Sequence, residues 1–387
     1  MPSMSGANRG LADVAGLRGP VPPLARFDLS NMSGGNLPAT SKAWRIKAGG
    51  QNAETSLFQV EEPVSAPKRG QVLVHIRATS LNYRDQMILK GHYPPPIESK
   101  NGGPIPLCDG AGDVIAVGED VTTLKVGDKV LTTFTGEWQS GDMKAEYWAT
   151  TLGGPVDGTL TQYRCFEAKG LVHMPPHLSY EEGATLPCAA LTAYQALFGF
   201  NEPIRAGQTV LLLGTGGVSI HALQQAVAAG AKVIITSSSD EKLARAKKLG
   251  AWETINYSTT PEWSTKVREL TNGIGVDKVL EVGGPGTFMQ SLKSIKPNGG
   301  VFCIGALGGP PPKDSKDNIP ITILFSSANV RGIMVGSVQM FEQLNERIMV
   351  AHNVKPIIDQ VYAFGDVVKA YQHLAKGAFG KIVIKTE

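Results

Sequence analysis

The chain predicts a two-domain α/β protein, a β-rich first part followed by a doubly wound parallel sheet. Three observations carry this. At 387 residues it is longer than one hydrophobic core usually holds. From Ser41 to about Leu131, short alternating apolar runs are separated by turn signals, the pattern of a compact β-rich domain. From about Ser179 onward, strand-length apolar runs alternate with segments of helical periodicity, which specifies a doubly wound sheet.

Composition narrows the class. Hydrophobic residues make up 42% and charged residues 18%, as in a soluble globular protein, and no apolar run reaches membrane-spanning length. A net charge of +3 spread along the chain is no footprint of nucleic-acid binding. The four cysteines, at 108, 165, 188 and 303, form no Cys-x-x-Cys pair and no disulfide framework. The expectation is therefore a reducing, cytoplasmic compartment and a small-molecule substrate.

Residues 1–40 are rich in Gly, Pro, Ser and Asn and read as a flexible or surface-draped extension, with a mitochondrial presequence as the alternative. Strands are then expected at Lys42–Ile46, Thr55–Val60 and Gln71–Ala78, a short helix within Ser80–Lys90, and a loop at Gly91–Pro96. Asp109–Gly118 and Val126–Leu131 supply two more strands. Residues 135–160 show no periodicity; their aromatics either line a cleft or cover a barrel edge. Ser179-Tyr-Glu-Glu182 reads as a capping box. Beyond it, strands are expected at Val210–Leu213, Lys232–Thr236, Glu253–Asn256, Asp277–Glu281 and Gly300–Ile304. Helices fall at Asp240–Leu249, Pro261–Thr271 and Gly286–Ile295, an amphipathic run at Met340–His352, and a returning strand at Gly380–Lys385.

The unit around which the rest is arranged is Val210-Leu-Leu-Leu-Gly-Thr-Gly-Gly-Val-Ser-Ile220. A buried strand ends in Gly214, Thr215, Gly216 and Gly217, and helical spacing begins at Val218. A helix opening after such a turn offers unpaired N–H groups and a positive dipole end, the natural seat of a pyrophosphate. Ser219 replaces the third glycine of the dinucleotide fingerprint.

With these residues in view the chain resembles the medium-chain dehydrogenase/reductase superfamily, in its zinc-free branch of quinone-oxidoreductase-like and zinc-less alcohol-dehydrogenase-like proteins. The matching segments are Leu81-Asn-Tyr-Arg-Asp85, Asp109–Gly118, Val126-Gly-Asp-Lys-Val130, Gly183–Tyr194 and the Gly214 turn, in a resemblance covering roughly residues 42 to 387. It implies a GroES-like β-barrel domain (41–185 and 337–387) and a Rossmann NADP-binding domain (186–336), with the active site in the cleft between them. It also implies a homodimer paired through an edge strand at Asn329–Val335.

The resemblance sets further expectations. Zinc-dependent relatives hold metal with Cys, His and Cys; here the corresponding places carry Asn82, Cys108 with Asp109, and Cys188, so no metal is expected. The family's acidic residue after the second strand is replaced by Ser237, followed by Ser238; with Lys242 and Tyr257 this favours NADPH over NADH. The alternatives are a solvated Lys242 and a merely buried Tyr257, and Asp240 stands near enough to turn toward the ribose. Further cofactor contacts carried over by position are Thr192 on the nicotinamide side, Val218 under the pyrophosphate, Val282 and Gly283, Ile304 and Gly305, and Lys381, for which plain surface charge is an equal reading.

Without a metal, the charge that hydride transfer builds on oxygen must meet a hydrogen-bond donor. Asn82 is the expected amide donor, Tyr83 and Tyr93 the expected phenols, and Asp85 a capping or Arg84-pairing residue. The reaction expected is NADPH-dependent reduction of an enone, enal or quinone. The rivals are a zinc-independent alcohol dehydrogenase or carbonyl reductase and a non-catalytic NADPH-binding member of the family.

Overall fold

The structure is a computed structural model and describes residues 37–47, 52–93, 102–200, 202–310 and 318–387. All the described residues belong to one compact unit. The expected extension therefore lies almost wholly outside the described residues, as do Pro94, Pro95 and Pro96 of the expected loop.

Strands β1 (Thr40–Ile46) and β2 (Leu57–Pro63) pair as an antiparallel ribbon. The second was expected from Thr55, but Asn52 accepts a hydrogen bond from the Thr55 amide at 3.0 Å and starts a one-turn helix, α1 (Ala53–Ser56), instead. β3 (Gln71–Ser80), β4 (Asp109–Val117), β5 (Lys129–Thr132), β6 (Tyr163–Glu167) and β7 (Leu171–His173) build the barrel sheet, with α2 (Tyr83–Leu89) after β3. Register shifts bend β3, so its first half pairs with β6 and its last residues with a strand from the C-terminus, while β4 runs along its other side. β3 and β4 approach so closely that a Cβ on Gly112 would lie 2.1 Å from the His75 carbonyl oxygen. The inward residues Val72, Val74, Ile76, Ala111, Val130 and Leu131 are all but inaccessible and form the barrel core.

The capping box is present: Ser179 Oγ accepts from the Glu182 amide at 3.2 Å and Glu182 Oε2 from the Ser179 amide at 2.9 Å, opening α3 (Tyr180–Gly183). A π-turn at Leu186–Ala190 and α4 (Leu191–Phe198) then carry the chain across to the second sheet. There β8 (Thr209–Leu212), β9 (Lys232–Ser237), β10 (Glu253–Asn256), β11 (Val276–Glu281), β12 (Ile295–Cys303) and β13 (Asn329–Gly332) are all parallel, in the order β10-β9-β8-β11-β12-β13. Between them run α5 (Gly217–Ala228), α6 (Asp240–Lys248), α7 (Trp263–Leu270), α8 (Phe288–Ser294) and α9 (Ile319–Ser326). Strand order reverses between β8 and β11, which opens a crevice at their carboxyl ends. This is a Rossmann sheet beside a GroES-like barrel.

The tail supplies α10 (Val338–Leu344), β14 (Ile358–Tyr362), α11 (Val367–Lys376) and β15 (Lys381–Lys385). β15 returns to the barrel and pairs antiparallel with β3, Val383 opposite Ser80. Among the described residues no helix is long and apolar enough to cross a membrane.

Candidate active site

The turn after β8 has the form expected of it. Gly214 adopts φ +71, Gly216 caps α5, and nothing occupies the space where either Cβ would stand. Ser219 takes the fingerprint's third glycine without loss because its buried hydroxyl donates to the Leu213 carbonyl at 2.7 Å. The turn is also docked from behind. The Gly380 amide donates to the Thr215 carbonyl at 3.0 Å, and a Cβ on Gly217 would come within 2.7 Å of the Lys381 side chain. Gly217 is bare because a lysine stem passes there.

That lysine corrects the sequence reading. Lys381 is 2% exposed, neither a surface charge nor a free cofactor contact. Its ammonium donates to the Leu81 carbonyl at 2.7 Å, Asn82 Oδ1 at 2.6 Å and Asp109 Oδ2 at 3.0 Å, which uses all three protons. Asp109 Oδ2 also accepts from Ser80 Oγ at 2.7 Å and Asn82 Nδ2 at 2.9 Å, while the Cys108 thiol donates to Oδ1 at 3.3 Å. Asn82 is corrected with it: its amide, expected to serve substrate, is held by Asp109 and faces Cys108 Sγ at 3.7 Å.

Asp85 caps α2, accepting from the Asn82 amide at 2.7 Å, and burial pushes its carboxyl up to about 6. Tyr83 is half-exposed and makes no hydrogen bond or ring contact to this network among the described residues. Tyr93 does reach the centre: its ring lies 4.9 Å from the guanidinium carbon of Arg84, and burial raises its phenol above the ordinary range. Behind the network His221, in α5, is fully buried; burial first, then Lys381, pushes its imidazole down to about 3.

Two comparisons of sequence and one of structure place this arrangement. Residues 68–176 match the alcohol dehydrogenase GroES-like domain and 217–349 the zinc-binding dehydrogenase domain. The zinc-type alcohol dehydrogenase-like protein C1773.06c of Schizosaccharomyces pombe is 44% identical over 82% of this chain and 91% of its own length. The chain belongs to the medium-chain dehydrogenase/reductase family of oxidoreductases. A quinone oxidoreductase of Pseudomonas aeruginosa is 35% identical over 65% of this chain and 69% of its own. The crystal structure of a putative alcohol dehydrogenase from Sinorhizobium meliloti 1021 superposes with a TM-score of 0.81 at 36% identity, covering 90% of this chain and 99% of that one.

The medium-chain family includes proteins named for zinc, so the ligand set here needs testing. One atom each from Cys108, Asp109 and Cys188 lies within 4.8 Å of the others. Asp109, however, already accepts four hydrogen bonds, one of them from a buried ammonium. The Cys108 thiol is pushed well up by its contact with Cys188, by burial and by Asp109, so it holds its proton. Zinc would require both thiolates and a released carboxylate; the residues as arranged do not fit it.

Elsewhere in the crevice the carried-over positions fare unevenly. At the end of β9, Ser238 is exposed, while the buried Ser237 hydroxyl accepts from the Ser239 amide at 3.3 Å. Lys242 is half-buried, held at 3.3 Å by the Gly377 carbonyl, and Tyr257 is 43% exposed rather than buried. Asp240 accepts from Asn256 Nδ2 at 2.7 Å. Thr192 is buried with its hydroxyl on the Cys188 carbonyl at 2.7 Å, and Val218 stands half-buried in the first turn of α5. The amides of Gly283, Ile304 and Gly305 are all engaged by Glu281, and Val282 gives its carbonyl to the Leu307 amide, so these four residues offer shape rather than backbone donors.

Sequence reading missed three things. Glu281, fully buried, fastens the turn after β11 through Gly283, Gly284, Thr287 and Ser291, and a carboxylate at a strand's end before Gly-Gly was its signal. The Lys381–Asp109 pair joins residues 272 positions apart, which no local pattern announces. Arg84 was read only as a partner for Asp85. Residues 135–160 meanwhile line a cavity of about 600 Å³, Trp138 and Trp148 facing Gln195, Phe200, Arg331 and Met334.

Proposed function

We propose that this chain is an NADPH-dependent reductase that transfers hydride, without a metal, to an enone, enal or quinone. The observation that carries the reading is the buried ion pair of Lys381 with Asp109, braced by Asn82 and Ser80. It supplies within the protein the positive charge that a metal would bring, and it engages the carboxylate a metal would need. Bound NADPH supplies the hydride. The open turn at Gly214–Gly217 and the amino end of α5 receive the pyrophosphate. Ser238 and the Lys242 ammonium receive the 2′-phosphate, with Tyr257 beside the ribose. Thr192, Val218 and Ile304 shape the space for the nicotinamide.

Negative charge then develops on the substrate oxygen and must be met by a donor not already engaged. Asn82 and Lys381 are engaged, and of the two expected phenols Tyr93 lies against this centre, so its phenol is the proton donor. A scaffold of this kind suits substrates already activated by conjugation. A relative named quinone oxidoreductase, and another named acryloyl-coenzyme A reductase from Metallosphaera sedula (28% identical over 89% of this chain and 100% of its own), support that direction. The runner-up, aldehyde reduction without zinc, draws on an alcohol dehydrogenase of Geobacillus stearothermophilus, 31% identical over 85% of this chain and 96% of its own. Purified protein assayed with NADPH and NADH against quinones, enones and saturated aldehydes decides between them; turnover of saturated aldehydes alone overturns the first reading. A stoichiometric divalent ion in elemental analysis overturns the metal-free mechanism.

We also propose a cytoplasmic homodimer. All four cysteines are unpaired. The edge strand β13 is exposed along its length, and α9 beside it presents Ile319, Ile321, Leu324 and Phe325, the last 82% exposed. An open edge flanked by such a face suits a second copy of the chain. Light scattering that returns a monomer at micromolar concentration rejects it.

A further inference from the structure

Arg84 is the one cation of the reaction centre with hydrogen-bonding capacity left among the described residues. Its Nη1 donates to the Leu152 carbonyl at 2.9 Å and stands 3.7 Å from Asp85 Oδ1, too far for a hydrogen bond. Among the described residues Nε and Nη2 make no hydrogen bond within 3.5 Å, although the Tyr93 phenol lies near enough to interact with the guanidinium, and both are shielded from solvent. The side chain is 7% exposed, with the rings of Tyr93 and Phe134 each centred 4.9 Å from its guanidinium carbon. Gly154 adds no side chain there; a Cβ would come within 3.3 Å of Nη2. Burial opposes the charge, yet the guanidinium stays protonated, with the Asp85 carboxyl 3.7 Å from Nη1.

A buried, charged donor without an acceptor is costly, and native interiors rarely keep one. The unpaired donors here are a particular two. Nε and Nη2 form the side-on edge of the guanidinium, the edge that grips a carboxylate through two parallel bonds. Arg84 lies two residues from Asn82 in the first turn of α2, on the thiol side of the Lys381 network. Its charge interacts with Cys108, whose thiol donates to Asp109 in that network.

We propose that Arg84 binds the substrate, taking a carboxylate side-on through Nε and Nη2, so that the molecule reduced is an enone or enal that carries a carboxylate. This rests on the reductase reading above and narrows its substrate class. Both nitrogens are shielded, so the carboxylate reaches them by a shift of the side chains packed around the guanidinium.

The test uses the full chain saturated with NADP. Calorimetry with 4-oxopentanoate and with its methyl ester reads binding apart from turnover, and reduction of 4-oxo-2-pentenoate and its methyl ester reads catalysis. Wild type is expected to bind the acid at least about 10-fold better than the ester, a preference that needs no variant to observe. Arg84→Gln is expected to weaken acid binding about 30-fold and raise the KM for the acid, with the ester and NADP affinities unchanged. Arg84→Lys keeps the charge but not the fork and recovers only a minor part. Equal binding of acid and ester by wild type, or an acid-to-ester ratio unmoved by Arg84→Gln, overturns the proposal. Arg84-dependent acid binding without reduction of either enone upholds the carboxylate site and counts against the reductase reading.

Discussion

The two ends of the cofactor crevice handle negative charge in opposite ways. At the end where the adenosine phosphate is proposed to bind, Ser238, Tyr257 and Lys242 are open or half-open to water, and Lys242 is held by one long bond to a carbonyl. At the reaction centre Lys381 and Asp109 are almost wholly buried and every proton of the ammonium has an assigned acceptor. An exposed cation is screened and loses little when its partner is absent, so it can select a ligand without shaping the fold. A buried ion pair cannot lose one member without leaving the other stranded in low dielectric. Selectivity is therefore separable from stability at the first end and fused with it at the second.

Substitutions can break that contrast, and the largest effect belongs to the buried pair. Lys381→Met strands Asp109 and is expected to lower stability by about 3–5 kcal/mol. The double variant Lys381→Met/Asp109→Leu recovers most of it, as chemical denaturation of the three proteins shows. If the single variant melts within a degree of wild type, the pair is not the brace described here.

Acid provides the next test, with two groups of opposite sign. His221 stays neutral in the folded chain down to about 3, whereas an unfolded histidine takes its proton near 6.5. Stability is therefore lost as pH falls from 6.5 toward 3, by up to about 4 kcal/mol, and His221→Gln flattens this limb. Asp85 keeps its proton to about 6 in the folded chain, against 3.8 when unfolded. Its contribution is greatest below 3.8 and fades as pH rises through 6, by about 3 kcal/mol, and Asp85→Asn removes it. Denaturant midpoints between pH 3 and 7 that run parallel in wild type and both variants would refute the assignment.

Smaller effects belong to the exposed end. Lys242→Ala is expected to weaken NADPH about 10-fold and leave NADH affinity and melting temperature where they were. Fluorescence titration with both cofactors measures it, and equal losses for the two place the lysine elsewhere than at the 2′-phosphate. Smallest of all is Arg69→Ala, which removes an exposed ion pair with Asp120 and is expected to leave the melting curve unchanged.

How much of this was legible follows the range of the interactions. Every strand of the Rossmann sheet was bracketed to within a few residues, β13 through the family resemblance and the central ones because a strand buried on both faces writes itself as an apolar run. β12 alone began well before its expected start, since Ile295 pairs with Val276 across a register shift. The glycine turn was legible too, a local matter of φ and of room. β6, β7, β14 and α11 had no such run and were missed, as was α9 despite its apolar Ile319–Phe325; β14 holds its place by lying parallel to β15. In the site, Asp85 was read as a cap because its partner Asn82 is three residues away. Lys381 was read as a cofactor contact or a surface charge because all its acceptors are about 270 or more residues away.

By itself the chain's pattern determined the alternation of strand and helix, the dinucleotide turn with its tolerated Ser219, and the serine and lysine at the end of β9. These depend on backbone freedom and burial over a few residues. Only tertiary structure decided that Asn82 and Lys381 are engaged with each other and with Asp109, and that Arg84 keeps two donors unpaired. Whether a polar group is free or satisfied depends on what the distant chain brings against it. A one-dimensional pattern cannot carry that information.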